Sequence, residues 1–306
     1  MSVSGTGTAS FFDRARLDMA GLRQRAETYQ QQIATGERLS RSSDDPVAAS
    51  RLRGFSRAGA LSAAQAANAS RAETDLKMAD SALAAIADAV TRARELAIQA
   101  ANGTLNADQR AAMGTELEHI HANLFALANS RDSAGHALFG GQTTGPAYTL
   151  DGAGNAVYAG TPGSGALDIG EGQSVARGLT GPEIFGLDTG SGPTDALAVI
   201  GTLAAALKGG VGDPAGAARD ALAQLSAGLD TVSTAQTVVG ARLAFVELVA
   251  DRRTDIAEAR AAEQARTGGA DIAETITRLQ QAMLVLEASQ ASFARLSGLG
   301  LMNQLR

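Results

Sequence analysis

The chain has 306 residues, enough for one large domain or two to three small ones around a real core. Cys and Trp are absent and aromatics make up 4%. Disulfides, thiolate metal sites and cysteine nucleophiles are therefore excluded, and the Ala-dominated apolar set favours thin helix–helix layers over a deep ligand cavity. The net charge of −6 is spread along the chain without a Lys/Arg block, which argues against a nucleic-acid partner or an anionic membrane surface.

Met1 to Ser10 read as a Ser/Gly/Thr leader lacking the basic region and apolar core of a Sec signal, and no apolar run reaches the length of a membrane span. The expectation is a chain that stays in the cytoplasm, or one that leaves by a route reading an uncleaved, unstructured terminus. From there Phe12, Ala15, Met19, Leu22, Ala26, Tyr29, Ile33 and Gly36 step by three and four, the a/d seam of a helix that needs a partner. An ordinary amphipathic helix on a local core is the alternative. Asp45 reads as the N-cap of the next helix with Pro46 at its first position; Asp44 is the alternative cap, and the helix dipole favours both carboxylates. Adjacent at a helix start, the two do not face each other, so a catalytic carboxylate pair is not expected.

Val47 to Asn102 is Ala-rich and helical, with Leu76, Ala79, Leu83, Ile86, Val90, Ala93 and Ala97 keeping the seam period up to the stop at Asn102-Gly103. Asn106 with Gln109 three residues on predicts a capping box, and Met113, Leu117, Ile120, Leu124 and Leu127 carry the helix it opens. The short link makes the two an antiparallel hairpin. At Gly135 the composition changes: up to Pro193 the chain holds nearly half of its glycines and most of its prolines. Ala147–Leu150 and Ala156–Tyr158 around Asp151–Asn155 predict a β-hairpin, with further strands at Ala166–Ile169 and Ser174–Ala176. A disordered, low-complexity loop is the alternative.

Helical signal returns from Thr194 to Lys208, and Asp213-Pro214 starts another helix, with interruptions expected at Gly228 and Gly240. Its seam runs through Val232, Ala235, Val239, Arg242, Val246, Val249, Arg253 and Ile256; the two arginines would weaken or direct the pairing. The last helix, after Thr267-Gly268-Gly269, carries Ile272, Ile276, Leu279, Met283, Leu286, Gln290 and Phe293 at the same spacing. Ordering so long a segment costs more than its apolar residues return alone, so it too needs another helix. Two matched terminal seams invite pairing with each other.

No catalytic, cofactor or metal site is legible. His119 and His121 lie two apart and point away from each other on a helix, and His136 has no expected carboxylate or Cys around it. Gly140-Gly141 and Gly163-Ser164-Gly165 lack the strand–turn–helix setting and the Lys of a phosphate loop. The fold class expected is mainly α, a long antiparallel helical bundle or coiled-coil rod with a small β-rich insertion. Residues 1–42 and 270–306 would form a terminal coiled-coil assembly domain, 43–134 and 194–269 a helical rod domain, and 135–193 the insertion.

Residues Gly36-Glu37-Arg38-Leu39-Ser40-Arg41-Ser42-Ser43-Asp44-Asp45-Pro46-Val47-Ala48-Ala49 resemble a segment of bacterial flagellin-type axial proteins, and the Asp45-Pro46-Val47-Ala48 continuation resembles the hook-associated protein 3 branch. Gly135-His136-Ala137-Leu138-Phe139-Gly140-Gly141, Gly181-Pro182-Glu183-Ile184-Phe185, Gly240-Ala241-Arg242-Leu243 and Ala270–Ile276 are similar to further elements of that branch. The resemblance implies a flagellin-like fold and a non-enzymatic structural adaptor without cofactors, exported through the flagellar type III channel and placed in the flagellum outside the cell. Its implied partners are copies of itself in a ring, another hook-associated junction protein and flagellin, with an export chaperone also admitted. Flagellin itself, the filament subunit, is the alternative within the family, and a cytoplasmic coiled-coil regulator the alternative outside it. The terminal seams would supply the assembly contacts: Phe12, Met19, Leu22, Tyr29, Ile33, Ile272, Ile276, Leu279, Met283, Leu286 and Phe293, with Asp44, Asp45 and Pro46 as the family motif.

Overall fold

The computed structural model describes residues 4–188, 193–210 and 212–304, with side chains for 10–188, 194–209 and 212–296. It is 72% helical. In chain order the elements are α1 (Ser4–Thr35), α2 (Pro46–Ala100), α3 (Ala107–Ala128), β1 (Tyr148–Leu150), β2 (Ala156–Tyr158), β3 (Ala166–Gly170), β4 (Gln173–Ala176), α4 (Gly181–Phe185), β5 (Gly186–Asp188), β6 (Pro193–Asp195), α5 (Ala196–Ala205) continued by a π turn (Ala206–Gly210), α6 (Pro214–Gly268) and α7 (Ile272–Gln304). The chain divides into two compact units: unit 1 is residues 1–60 with 255–306, and unit 2 is residues 61–254. The fold is mainly α, with long helices and small sheets, as the resemblance implies.

Unit 2 holds the core. Leu76, Leu83, Ile86, Val90 and Leu96 of α2 cluster with Leu117 and Leu124 of α3, Leu197 and Ile200 of α5, and Val232, Val239 and Val246 of α6. Between the large residues α2 buries Ala69, Ala72, Ala79, Ala93, Ala97 and Ala100, so the layers are thin, as the composition requires. The capping box at α3 forms: Asn106 Oδ1 accepts from the Gln109 amide at 2.8 Å, and Gln109 Oε1 accepts from the Asn106 amide at 3.1 Å. Gly114 is a forced glycine, since a Cβ there would stand 2.7 Å from Lys208 Cγ and 2.9 Å from the Ala204 carbonyl oxygen.

The insertion is three separate two-stranded antiparallel sheets, β1–β2, β3–β4 and β5–β6. The first pairs as expected, with Tyr148 opposite Tyr158, and the further strands expected near 166–169 and 174–176 pair with each other, Leu167 opposite Val175. β5–β6 and α4 were not expected; their signals are only three and five residues long. Here sit the buried aromatics: Tyr148 packs edge-on to Tyr158 (5.4 Å) and Phe185 (5.7 Å).

Three expectations are corrected. The helix expected after the leader starts at Ser4, because no proline stops propagation back from the paired segment; only residues 1–3 of the leader lie outside the described residues. α6 runs through Gly228 and Gly240 without interruption. Gly228 is buried against Ala196, Leu187 and Val90, and a lone helical glycine costs about 1 kcal/mol, less than such packing returns. α6 is also long and apolar enough, by length and composition, to cross a membrane; within unit 2 its Val232, Ala235, Val239, Val246 and Val249 line the core. Its seam arginines direct the packing: Arg242 Nη1 donates to the Gly178 carbonyl at 2.6 Å and Arg253 Nη1 to the Ile169 carbonyl at 3.3 Å, both in the insertion.

Candidate functional site

Unit 1 carries the candidate assembly surface. α1 and α7 pack side by side. On α1 the sequence seam is the contact face: Phe12, Met19, Leu22, Tyr29 and Ile33 are half-buried around the buried Ala26. On α7 the face is turned relative to the expected seam. Thr275 and Ala282 are buried, and Leu279, Leu286, Ser289 and Phe293 half-buried, which defines a stripe at steps of four and three. Ile272 and Ile276 are each 40% exposed and Met283 52%, on the flank of that stripe, and Leu284 and Val285 are exposed beyond it. Small residues at 275, 282 and 289 let the helices approach where the isoleucines would hold them apart. Phe12 meets Phe293 edge-on, with centroids 5.4 Å apart, and Phe11 meets Phe12 at 5.8 Å.

Among the described side chains of this pair no large one is buried, and the buried ones are Ala26, Thr275 and Ala282. Ile272, Ile276, Met283, Leu284 and Val285 stand open on α7, which makes this flank the candidate assembly surface.

The Gly36–Pro46 segment lies beside the α6–α7 turn and is fixed to it. Gly36 takes φ +71°, which lets the chain turn off α1. The Arg38 amide donates to the Gly268 carbonyl at 2.7 Å and the Ala270 amide to the Gly36 carbonyl at 2.9 Å, around an antiparallel bridge between Glu37 and Gly269. Arg38 Nη2 donates to Asp45 Oδ2 (3.1 Å) and to the Thr267 carbonyl (3.2 Å), while the Arg38 carbonyl accepts from Gln32 Nε2 (2.7 Å). Asp45 is the N-cap of α2, its Oδ1 accepting from the Ala48 amide at 3.0 Å, and Pro46 is the first helical residue. Asp44 holds the preceding turn instead, its Oδ2 accepting from the Arg41 amide (2.8 Å), the Ser40 amide (3.2 Å) and the Ser40 hydroxyl (3.1 Å). The Arg41 amide pulls the Asp44 carboxyl below the usual aspartate range, and the Ala48 amide, followed by Arg38, does the same for Asp45. The sequence marked the two aspartates but not the hub role of Arg38; its place two residues after Gly36 in the motif was the available signal.

Among the described residues, no group of three or more His, Cys, Asp or Glu is arranged to hold a metal. His136 is not isolated, as expected from the sequence, but lies 3.4 Å from Asp132 Oδ2. Arg177 bridges Asp132 (3.5 Å) and Asp75 (3.6 Å) beside a polar cavity lined by Gln142, Thr143 and Ser164. Asp75 and Arg177 are about a hundred residues apart, so sequence spacing could not reveal the cluster. Burial, then the neighbouring Asp132, raises the Asp75 carboxyl. His119 and His121 are separate, as expected; burial lowers His121 on α3.

Residues 15–144 match the family model of the bacterial flagellin N-terminal helical region. The chain is 28% identical over 289 residues to flagellar hook-associated protein 3 of Escherichia coli, covering 89% of this chain and 90% of that protein. It is 28% identical over 287 residues to the Salmonella typhimurium protein of the same name, with the same coverage. Its fold is similar to the crystal structure of flagellar hook-associated protein 3 from Legionella pneumophila, with a TM-score of 0.63 at 16% identity over 70% of this chain and 98% of that one.

Proposed function

We propose that the chain is a member of the bacterial flagellin superfamily with a structural role in the flagellum, and that it joins the hook to the filament as a non-enzymatic adaptor; the match of residues 15–144 and the 28% identical relatives over 89% of the chain support this. In this reading copies of the chain form a ring between another hook-associated junction protein and flagellin. Each leaves the cell through the flagellar export channel, with or without a chaperone, and adds at the growing end. The observation that carries the proposal is the α1–α7 pair, which leaves Ile272, Ile276, Met283, Leu284 and Val285 in the open while, among its described side chains, burying small ones. Neighbouring copies supply the missing burial and order the pair as they stack. Phe12, Met19, Leu22, Tyr29, Ile33, Leu279, Leu286 and Phe293 hold the pair together, and the exposed flank of α7 meets the next subunit. Residues 1–42 with 270–306 act as the assembly domain, 43–134 with 194–269 as the helical domain, and 135–193 as the outer insertion.

The test is a strain producing the chain without residues 271–306. The proposal expects hooks without filaments and flagellin released as monomer into the medium; full filaments would contradict it. Purified full-length chain that polymerises unaided into long filaments would favour flagellin instead.

A further inference from the structure

The turn between α2 and α3 is chemically unlike the other turns of the molecule. Asn102 is the only one of the chain's seven asparagines followed by glycine. It is exposed, two residues past the end of α2, and its Oδ1 accepts two hydrogen bonds from one residue: the Thr104 amide at 3.3 Å and the Thr104 hydroxyl at 3.1 Å. Gly103, between them, is exposed with nothing within 4 Å of where a Cβ would stand, and its backbone lies outside the left-handed region. By contrast, Asn129 is pinned at both ends of its amide, Nδ2 donating to the Phe125 and Tyr148 carbonyls and Oδ1 accepting from the Tyr148 amide, while the following Ser130 amide is bonded to the Leu127 carbonyl.

We propose that Asn102 is a self-modification site at which the chain converts its own side-chain amide to a carboxylate, with Gly103 N as nucleophile, Thr104 as oxyanion donor and water as co-reactant. The Gly103 amide gives its proton to solvent base and its nitrogen attacks Asn102 Cγ. Negative charge gathers on Oδ1, where the Thr104 amide and hydroxyl already donate. The Cγ–Nδ2 bond breaks, Nδ2 takes a proton and leaves as ammonia, and a five-membered succinimide remains. Water opens that ring at one carbonyl or the other, giving aspartate or isoaspartate. Glycine is needed because a side chain at 103 would obstruct the close approach of its nitrogen. The new charge sits at the negative end of the α2 dipole, so the product turn is held less tightly than the original.

The experiment incubates the purified full-length protein at pH 6 and pH 8 and maps the tryptic peptide Glu95–Arg110 by mass spectrometry with fragmentation that separates aspartate from isoaspartate. That peptide also contains Asn106, capped through its Oδ1 and followed by alanine, as an internal control. The proposal expects a gain of about 1 Da confined to residue 102 as the amide becomes a carboxylate. Conversion should be faster at pH 8, slowed strongly by Gly103→Ala and severalfold by Thr104→Val, both of which leave circular dichroism unchanged. An Asn102 that stays intact in the folded chain while converting in urea would overturn it, as would a Thr104→Val chain converting at or above the wild-type rate.

Discussion

Unit 1 and unit 2 are both built from Ala-rich helices with seams at steps of three and four, yet they spend their apolar residues differently. In unit 2 the large residues of the seam are enclosed: Leu76, Leu83, Ile86, Leu117 and Leu124 have no exposed surface, and the arginines that interrupt the α6 seam reach carbonyls of the insertion. Among the described side chains between α1 and α7 in unit 1 the buried ones are small, and the large ones are half-buried or open. The same heptad pattern thus serves a core completed by its own chain and, in the proposed function, a surface for other copies to complete. Hydrophobic burial follows covered area, so stability belongs to unit 2 and unsatisfied surface to unit 1.

The contrast can be broken in several ways, starting from the largest effect. Leu83→Ala should destabilise the monomer by about 2–5 kcal/mol in urea denaturation, whereas Leu286→Ala in the α1–α7 pair should cost less than half as much. Equal costs would erase the difference between the units. Arg242→Ala should cost about 1.5–3 kcal/mol and speed hydrogen exchange in the insertion around Gly178, because a charged donor is removed from a covered carbonyl. Asp45→Ala should cost about 1 kcal/mol as α2 loses its cap.

Acid separates the units too. Asp44 and Asp45 are held below the usual range, so the stability they lend the unit 1 turn is present above that range and lost as the pH falls beneath it. Asp75 in unit 2 is held above it, so its contribution is present at low pH and lost as the pH rises through the raised value. Asp75→Asn should therefore flatten the fall in unit 2 stability as the pH rises above the usual aspartate range, read by denaturation at each pH. Smallest for the monomer is Met283→Ser, within about 0.5 kcal/mol, although it should impair assembly in the cell.

How much of this was legible depends on the range of the interactions. The Asn106–Gln109 box, the Asp45-Pro46 start, the hairpin at 148–158 and the strands near 166–169 and 174–176 are written within a few residues, and the structure has them where the sequence puts them. The α7 face was misread by part of a turn because its apolar residues fit two registers, 272/276/283 and 279/286/293. Thr275, Ala282 and Ser289, which decide between them, carry little hydrophobic signal. Gly228 resembled a break because its packing partners are remote in sequence. The Asp75–Arg177–Asp132–His136 cluster was hidden for the same reason.

The central claim is that the terminal helices are completed by neighbours, and hydrogen exchange of the isolated full-length monomer against the assembled state tests it most directly. The account predicts amides of α1 and α7 exchanging orders of magnitude faster than those of α2 between Ala69 and Ala100 in the monomer, and becoming protected on assembly. Terminal amides as protected in the monomer as the α2 core would contradict it.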